Sequence, residues 1–142
     1  KGYDQVLWTD SVEHKYVQEI GTMNVFFILG DKAFTPDLGQ CTILAGVTRD
    51  SAITILKEMG LQVVERPISI DEVIEGYKSG QLHEAFGTGT AATIACIKEL
   101  RYKDFVMEFR VDTWKTAPEL KKRLDGIREG KRADSYGWMY KV

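Results

Sequence analysis

The sequence predicts one domain of mixed α and β structure, an α/β arrangement with α+β character, in which helices flank a mixed sheet. Three observations lead there. The chain has 142 residues, the usual size of one domain, and residues 1–142 read as a single unit. Its apolar residues change period along the chain: Ala52, Ile55, Leu56 and Met59 fall at helical spacing, whereas Phe105, Met107, Phe109 and Val111 alternate with Val106, Glu108, Arg110 and Asp112. Strand-like and helix-like segments intermix without a strict β-α-β rhythm, so the sheet is expected to be mixed rather than all parallel.

Each element has a local reason. Residues 5–8 read as a short buried strand that ends at the turn-forming Asp10-Ser11. Residues 16–29 are β-rich and broken by Gly21, which predicts two extended pieces around a bend, the second over 24–29. Gly30-Asp31-Lys32 signals a turn and residues 35–39 a loop. The segment 41–50 runs into the first helix, with Gly60 at the position after its end. Residues 61–65 follow as a strand. Ser69 and Glu72 form a capping box that opens a second helix, with Ile70, Val73, Ile74 and Tyr77 on one face and a stop at Ser79-Gly80. Residues 84–86 read as a short strand leading into a Gly-rich turn over 87–92, and residues 93–100 are β-prone. A hairpin connection at 101–104 leads to the alternating strand 105–111. Thr116, with Pro118 just inside, opens a last helix bearing Ala117, Leu120, Leu124 and Ile127.

Composition narrows the function classes. Lys and Arg number 19 against 21 Asp and Glu, a net charge of -2, which argues against nucleic acid held by bulk charge. The longest apolar run, residues 25–29, is far short of the roughly 18 residues of a membrane span, so no membrane association is expected. Cys41 and Cys96 form neither a disulfide scaffold nor a zinc motif, and a reducing, cytoplasmic setting is expected. No metal cluster and no nucleophile–histidine arrangement emerges; His14 and His83 lie in polar surroundings and read as solvated. The chain opens at Lys1-Gly2-Tyr3-Asp4 with no Met and no signal-like stretch, and is expected to be part of a longer protein.

Three segments invite a chemical reading, each beside a plainer one. Gly46-Val47-Thr48 stands at a helix start, where free N–H groups and the positive dipole end suit a phosphate; equally, Thr48 caps its own helix. The stretch 86–92, Phe-Gly-Thr-Gly-Thr-Ala-Ala, offers free N–H groups and two hydroxyls for an anion, or is an ordinary Gly-rich turn. Glu19, in a β-rich run beside Gly21, points into a pocket toward a cationic partner or outward into solvent. Lys121-Lys122-Arg123 is balanced by Glu119, Asp125 and Glu129 and reads as a wet helix face.

Four stretches in this order, Gly2-Tyr3-Asp4-Gln5-Val6-Leu7-Trp8, Glu19-Ile20-Gly21-Thr22-Met23-Asn24, Ile43-Leu44-Ala45-Gly46-Val47-Thr48-Arg49 and Glu84-Ala85-Phe86-Gly87-Thr88-Gly89-Thr90-Ala91-Ala92, closely resemble the branched-chain amino acid aminotransferases. These are pyridoxal 5′-phosphate (PLP) enzymes of the D-amino-acid-aminotransferase-like fold, called fold type IV. The resemblance covers most of the chain and implies the C-terminal, larger domain, a mixed sheet or pseudo-barrel with flanking helices. It implies that Glu19 bonds the pyridine nitrogen, that Val47, Thr48, Gly89 and Thr90 hold the cofactor phosphate, and that Thr22, Thr90 and Ala91 contact the substrate. It further implies transfer of the amino group of Leu, Ile or Val to 2-oxoglutarate within branched-chain amino acid biosynthesis, and a homodimer in which a partner chain completes each site, with the missing N-terminal domain as a further partner.

The departures are specific. The family's Schiff-base lysine and its Lys-x-Gly-Gly-Asn-Tyr motif precede the Gly2-Tyr3-Asp4-Gln5 segment, and Lys1 is not that lysine by register, so the chain alone is expected to be inactive. Where mammalian members carry Cys-x-x-Cys, Ala92 and Ala95 stand here with Cys96 adjacent, so no such redox switch is expected. The alternatives are a D-amino acid aminotransferase or aminodeoxychorismate lyase of the same fold, or a non-catalytic anion-binding module.

Overall fold

The computed structural model describes residues 2–140; Lys1, set aside above as the catalytic lysine, lies outside them. In order, the chain forms β1 (Leu7–Thr9), β2 (Val17–Ile20), β3 (Met23–Leu29), β4 (Lys32–Thr35), α1 (Val47–Glu58), β5 (Gln62–Glu65), α2 (Ile70–Lys78), β6 (Leu82–Gly89), β7 (Thr93–Cys96), β8 (Glu99–Tyr102), β9 (Phe105–Glu108), a 3-10 turn (Val111–Thr113) and α3 (Thr116–Arg128).

Seven strands make one mixed sheet around β3. The β2–β3 hairpin pairs Glu19 with Asn24 and Ile20 with Met23. Its turn needs Gly21, whose φ is +58 and where a Cβ would lie 1.9 Å from Gln5 Oε1. β3 pairs antiparallel with β4 at its far end and with β6 along nearly its whole length, from Asn24↔Thr88 to Leu29↔Leu82. β5 joins parallel to β4 after the α1 crossover, and β7 lies antiparallel to β6. β8 and β9 form a separate antiparallel hairpin.

Being central, β3 and β6 bury both faces. On one side Phe26, Ile28 and Phe86 pack against Ala52, Ile55 and Leu56 of α1 and Ala117, Leu120 and Leu124 of α3. The Phe26 and Phe86 rings stack at 5.5 Å, and emptying either position costs about 3–5 kcal/mol. On the other side Val25, Phe27 and Ala85 meet Ile70 and Val73 of α2, with Leu100 and Met107 of the β8–β9 hairpin. The helical stripes expected from the sequence thus face the sheet from opposite sides.

Several expectations are corrected. The strand placed at 5–8 is an edge strand over Leu7–Thr9, with Val6 and Trp8 more than half exposed, because only β2 pairs with it. β4 was not anticipated; it is fixed by pairing with β3 and β5 rather than by local pattern. β6 does not stop at Phe86 but runs through Gly87, Thr88 and Gly89, leaving only 90–92 as a turn. The glycines serve packing: a Cβ at Gly87 would lie 3.0 Å from Met23 Cε and 3.1 Å from Ile20 Cγ2, and one at Gly89 2.9 Å from Met23 Cγ. The β-prone run 93–100 divides between β7 and β8, and the strand over 105–111 ends at Glu108. Only half of the capping box forms. Ser69 Oγ accepts from Glu72 N at 3.1 Å, but the Glu72 carboxylate turns to Arg66.

Candidate functional site

Both turns of interest lie at one end of the sheet. β3 and β6 are antiparallel, so the Gly21-Thr22 turn before β3 neighbours the turn at 90–92 after β6. The start of α1 reaches the same end: a Cβ on Gly46 would come 2.3 Å from Asn24 Oδ1.

Adjacent residues of β2 and β3 then serve opposite faces. Ile20 and Met23 look onto a cavity of about 820 Å³ that Thr22, Gly89, Thr90 and Ala91 also line. Its far wall carries Glu99 and Arg101, and the Tyr3 hydroxyl donates to the Glu99 carboxylate, which raises the Tyr3 pKa. Glu19 and Asn24 occupy the other face. Half-buried Glu19 accepts through Oε1 from Leu44 N at 3.0 Å and, at 3.5 Å, from Asn24 Nδ2. Asn24 Nδ2 also donates to Leu44 O at 2.8 Å. Leu44 immediately precedes the α1 entry, where Gly46 is the N-cap. Hence Glu19 stands beside Val47 and Thr48 on one face, while Thr22, Gly89, Thr90 and Ala91 gather around the cavity on the other. The first set does not line that cavity.

The three helix starts differ. Ser69 caps α2. α3 begins on the Glu84 carboxylate, which accepts from the backbone N–H of Lys115 (2.9 Å), Thr116 (2.8 Å) and Ala117 (2.7 Å). α1 has no side-chain cap, so Thr48 does not cap its own helix. The N–H groups of Val47, Thr48 and Arg49 have no intrahelical acceptor by position, and no side chain among the described residues accepts from them. Arg49 anchors this turn from below. Its buried guanidinium donates to Pro36 O and to Glu65 Oε2, both at 2.9 Å.

Two site residues were missed in the sequence. Asn24 is 5% exposed, and its only sequence signal is a lone amide heading the apolar run Val25-Phe26-Phe27. Thr88, paired with Asn24 on the Glu19 face, is 1% exposed and its hydroxyl has no hydrogen-bond partner. Nothing local marks that hydroxyl, because its isolation depends on strands distant in sequence.

Other chemistry is limited. Burial, then the Glu84 charge, pushes up the pKa of the Cys96 thiol on the cavity wall. Cys41 is exposed. Among the described residues no three of His, Cys, Asp or Glu gather as metal ligands, and no helix is long and apolar enough to cross a membrane.

Comparison with known proteins gives the family and the fold. The amino-transferase class IV family pattern matches residues 1–100. The chain is 47% identical over 143 aligned positions to a Bacillus subtilis protein named branched-chain-amino-acid aminotransferase 2, an alignment covering 100% of this chain and 39% of that one. It superposes on the branched-chain amino acid aminotransferase from Escherichia coli with a TM-score of 0.79 and 26% identity, over 99% of this chain and 43% of that one. It also superposes on an aminotransferase from Brucella abortus bound to the cofactor PLP, with a TM-score of 0.67 and 29% identity, covering 87% of this chain and 40% of that chain. The chain thus spans about two-fifths of the length of these relatives, and its fold is theirs over that span. With the family pattern running from the chain start through β6 and β7, the chain belongs to the class IV aminotransferases.

Proposed function

We propose that this chain forms the cofactor-gripping part of a branched-chain amino acid aminotransferase that works with PLP. The observation that carries the reading is the Leu44 N–H to Glu19 Oε1 bond of 3.0 Å, which sets a carboxylate directly before an uncapped helix start. Three features fit the group. The α1 amides lack a side-chain cap, the glycine at Gly46 lets the α1 entry close onto Asn24 without a clash, and the Thr88 hydroxyl is buried without a partner.

In this reading the backbone N–H groups of Val47 and Thr48, with the Thr48 hydroxyl, cradle the phosphate dianion at the positive end of α1. Gly89 and Thr90, to which the resemblance also gives a phosphate role, line the cavity on the other face and so fall on the substrate side. Leu44 holds one oxygen of Glu19, so the other is free to keep a proton on the pyridine nitrogen. When bound, the protonated ring supplies an electron sink for the substrate α-carbon. Thr90 and Ala91 hold the substrate carboxylate, Thr22 closes the pocket beside it, and Ile20 and Met23 offer an apolar wall for a branched side chain. The lysine that moves the proton is assigned upstream of Gly2, so this chain binds without turning over. The same reading makes the substrates an amino acid and a 2-oxo acid, the assembly a homodimer and the compartment the cytoplasm.

Titrating the chain with PLP, followed by quenching of tryptophan emission, tests the proposal. Saturable binding is expected, weakened about tenfold by Glu19→Gln and by Thr48→Val, the scale of one charge-assisted contact each. Equal affinity in all three proteins refutes it.

A further inference from the structure

The Glu19 grip and the α1 grip belong to different elements, β2 and a helix start, with the loop 36–46 between β4 and α1. Their relative position matters, because a ligand carrying both an aromatic nitrogen and a phosphate gains from two grips only when both fit at once. One side chain spans them. Asn24 Nδ2 donates to Leu44 O at 2.8 Å and reaches Glu19 Oε1 at 3.5 Å, while Leu44 N donates to the same Glu19 oxygen. Leu44 O also accepts from Gly46 N at 2.9 Å, so the amide holds a bent segment that already bonds to itself. On its other side, Asn24 Oδ1 occupies the space that a Cβ on Gly46 would need. Asn24 is nearly fully buried and sits in register on β3, which pairs with β2, β4 and β6.

We infer that Asn24 is a positioning residue that makes the two grips one unit: through Leu44 it fixes the distance between the Glu19 carboxylate and the amides of Val47 and Thr48. The inference rests on the proposed PLP reading and adds to it a residue that touches neither end of the ligand. It has a distinctive consequence. Losing the Asn24 amide leaves Glu19 on Leu44 N and leaves the α1 amides in place, so each grip still works alone. What is lost is the advantage of a linked ligand.

The test compares three probes on the intact 142-residue chain by NMR titration: PLP, pyridoxal (ring without phosphate) and inorganic phosphate. In Asn24→Ala, PLP affinity should fall about tenfold while pyridoxal and phosphate affinities stay within about twofold. Hydrogen exchange at Leu44 N–H should quicken while that of β3 amides does not. Asn24→Asp preserves volume but sets a second carboxylate beside Glu19, and it carries the same comparison on PLP against pyridoxal should Asn24→Ala not fold. Unchanged PLP affinity overturns the inference, as does an equal loss for all three probes, which a merely structural role would give. Glu19→Gln separates the two ideas, because it should weaken PLP and pyridoxal but spare phosphate. Were Glu19→Gln silent, the PLP reading itself would fail, and absence of PLP binding by the unsubstituted chain overturns both.

Discussion

Replacing Glu84 by Gln should destabilise the chain by about 3 kcal/mol, although the two side chains have nearly the same shape. Glu84 is 4% exposed, and its two oxygens take all three N–H groups at the start of α3: Oε1 accepts from Lys115 and Thr116, Oε2 from Ala117. In Glu84→Gln one oxygen remains for Lys115 and Thr116, but an NH2 then faces the Ala117 N–H, donor against donor. A hydrogen bond to a charged group contributes about 1.5–3 kcal/mol, and stranding a buried donor costs about 1–3 kcal/mol. Losing the negative charge at a helix N-terminus removes up to about 1 kcal/mol more. Because Gln rotates and the helix end frays, these effects do not add fully, and about 3 kcal/mol is the expected net. For a chain of this size that corresponds to a fall in Tm of about 10 °C. Differential scanning calorimetry at neutral pH measures it. A fall below about 3 °C would mean that Thr116 or water caps α3 as well as Glu84 does, and the reasoning would be wrong.

Gly46→Ala should act through Asn24 rather than through backbone strain, since φ at Gly46 is an ordinary -68. The added methyl must displace Asn24 Oδ1, so we expect about 1–3 kcal/mol of destabilisation in urea melts together with weakened PLP binding, and intact binding would contradict it. Thr88→Val removes a buried hydroxyl that no protein group satisfies, so the unliganded chain should become as stable or about 1 kcal/mol more stable, whereas a clear loss would reveal a hidden partner for that oxygen. Asp10 accepts from the backbone N–H groups of Val12, Glu13, Lys15 and Tyr16, which hold its pKa well below the usual carboxylate range. A lowered folded-state pKa means that its contribution is present above about pH 4, the unfolded value, and fades as pH falls below it. The urea midpoint should therefore drop between about pH 4 and about pH 2.5, and Asp10→Asn should flatten that slope; parallel profiles would assign the acid sensitivity elsewhere.

What could be read directly from the chain is whatever repeats over a few residues. The stripe Ala52-Ile55-Leu56, the Ser69 cap and the alternation of Phe105 and Met107 with Val106 and Glu108 each depend on neighbours within about a helical turn, and each is in place. The candidate site was partly legible in the same way: Gly46-Val47-Thr48 announces a helix start and Glu19 an acid in a strand. The family motifs joined them in a common expectation before any distance was known.

The remainder needed the folded chain. β4 has no pattern of its own and exists because β3 and β5 flank it. Gly87 and Gly89 look like turn residues until Met23 is seen to lie across them. Thr116 looks like a cap until Glu84, 31 to 33 residues earlier, takes the helix amides. That Glu19, Asn24 and Leu44 share a hydrogen-bonded cluster, while Thr22 and Thr90 open onto a different face, follows from strand register and from the side-chain alternation it imposes. Periodicity within the amino-acid sequence determines which residues turn inward, because backbone geometry is local; which polar groups then meet is decided by tertiary pairing, because a buried donor or acceptor takes its partner from whatever segment the fold brings alongside.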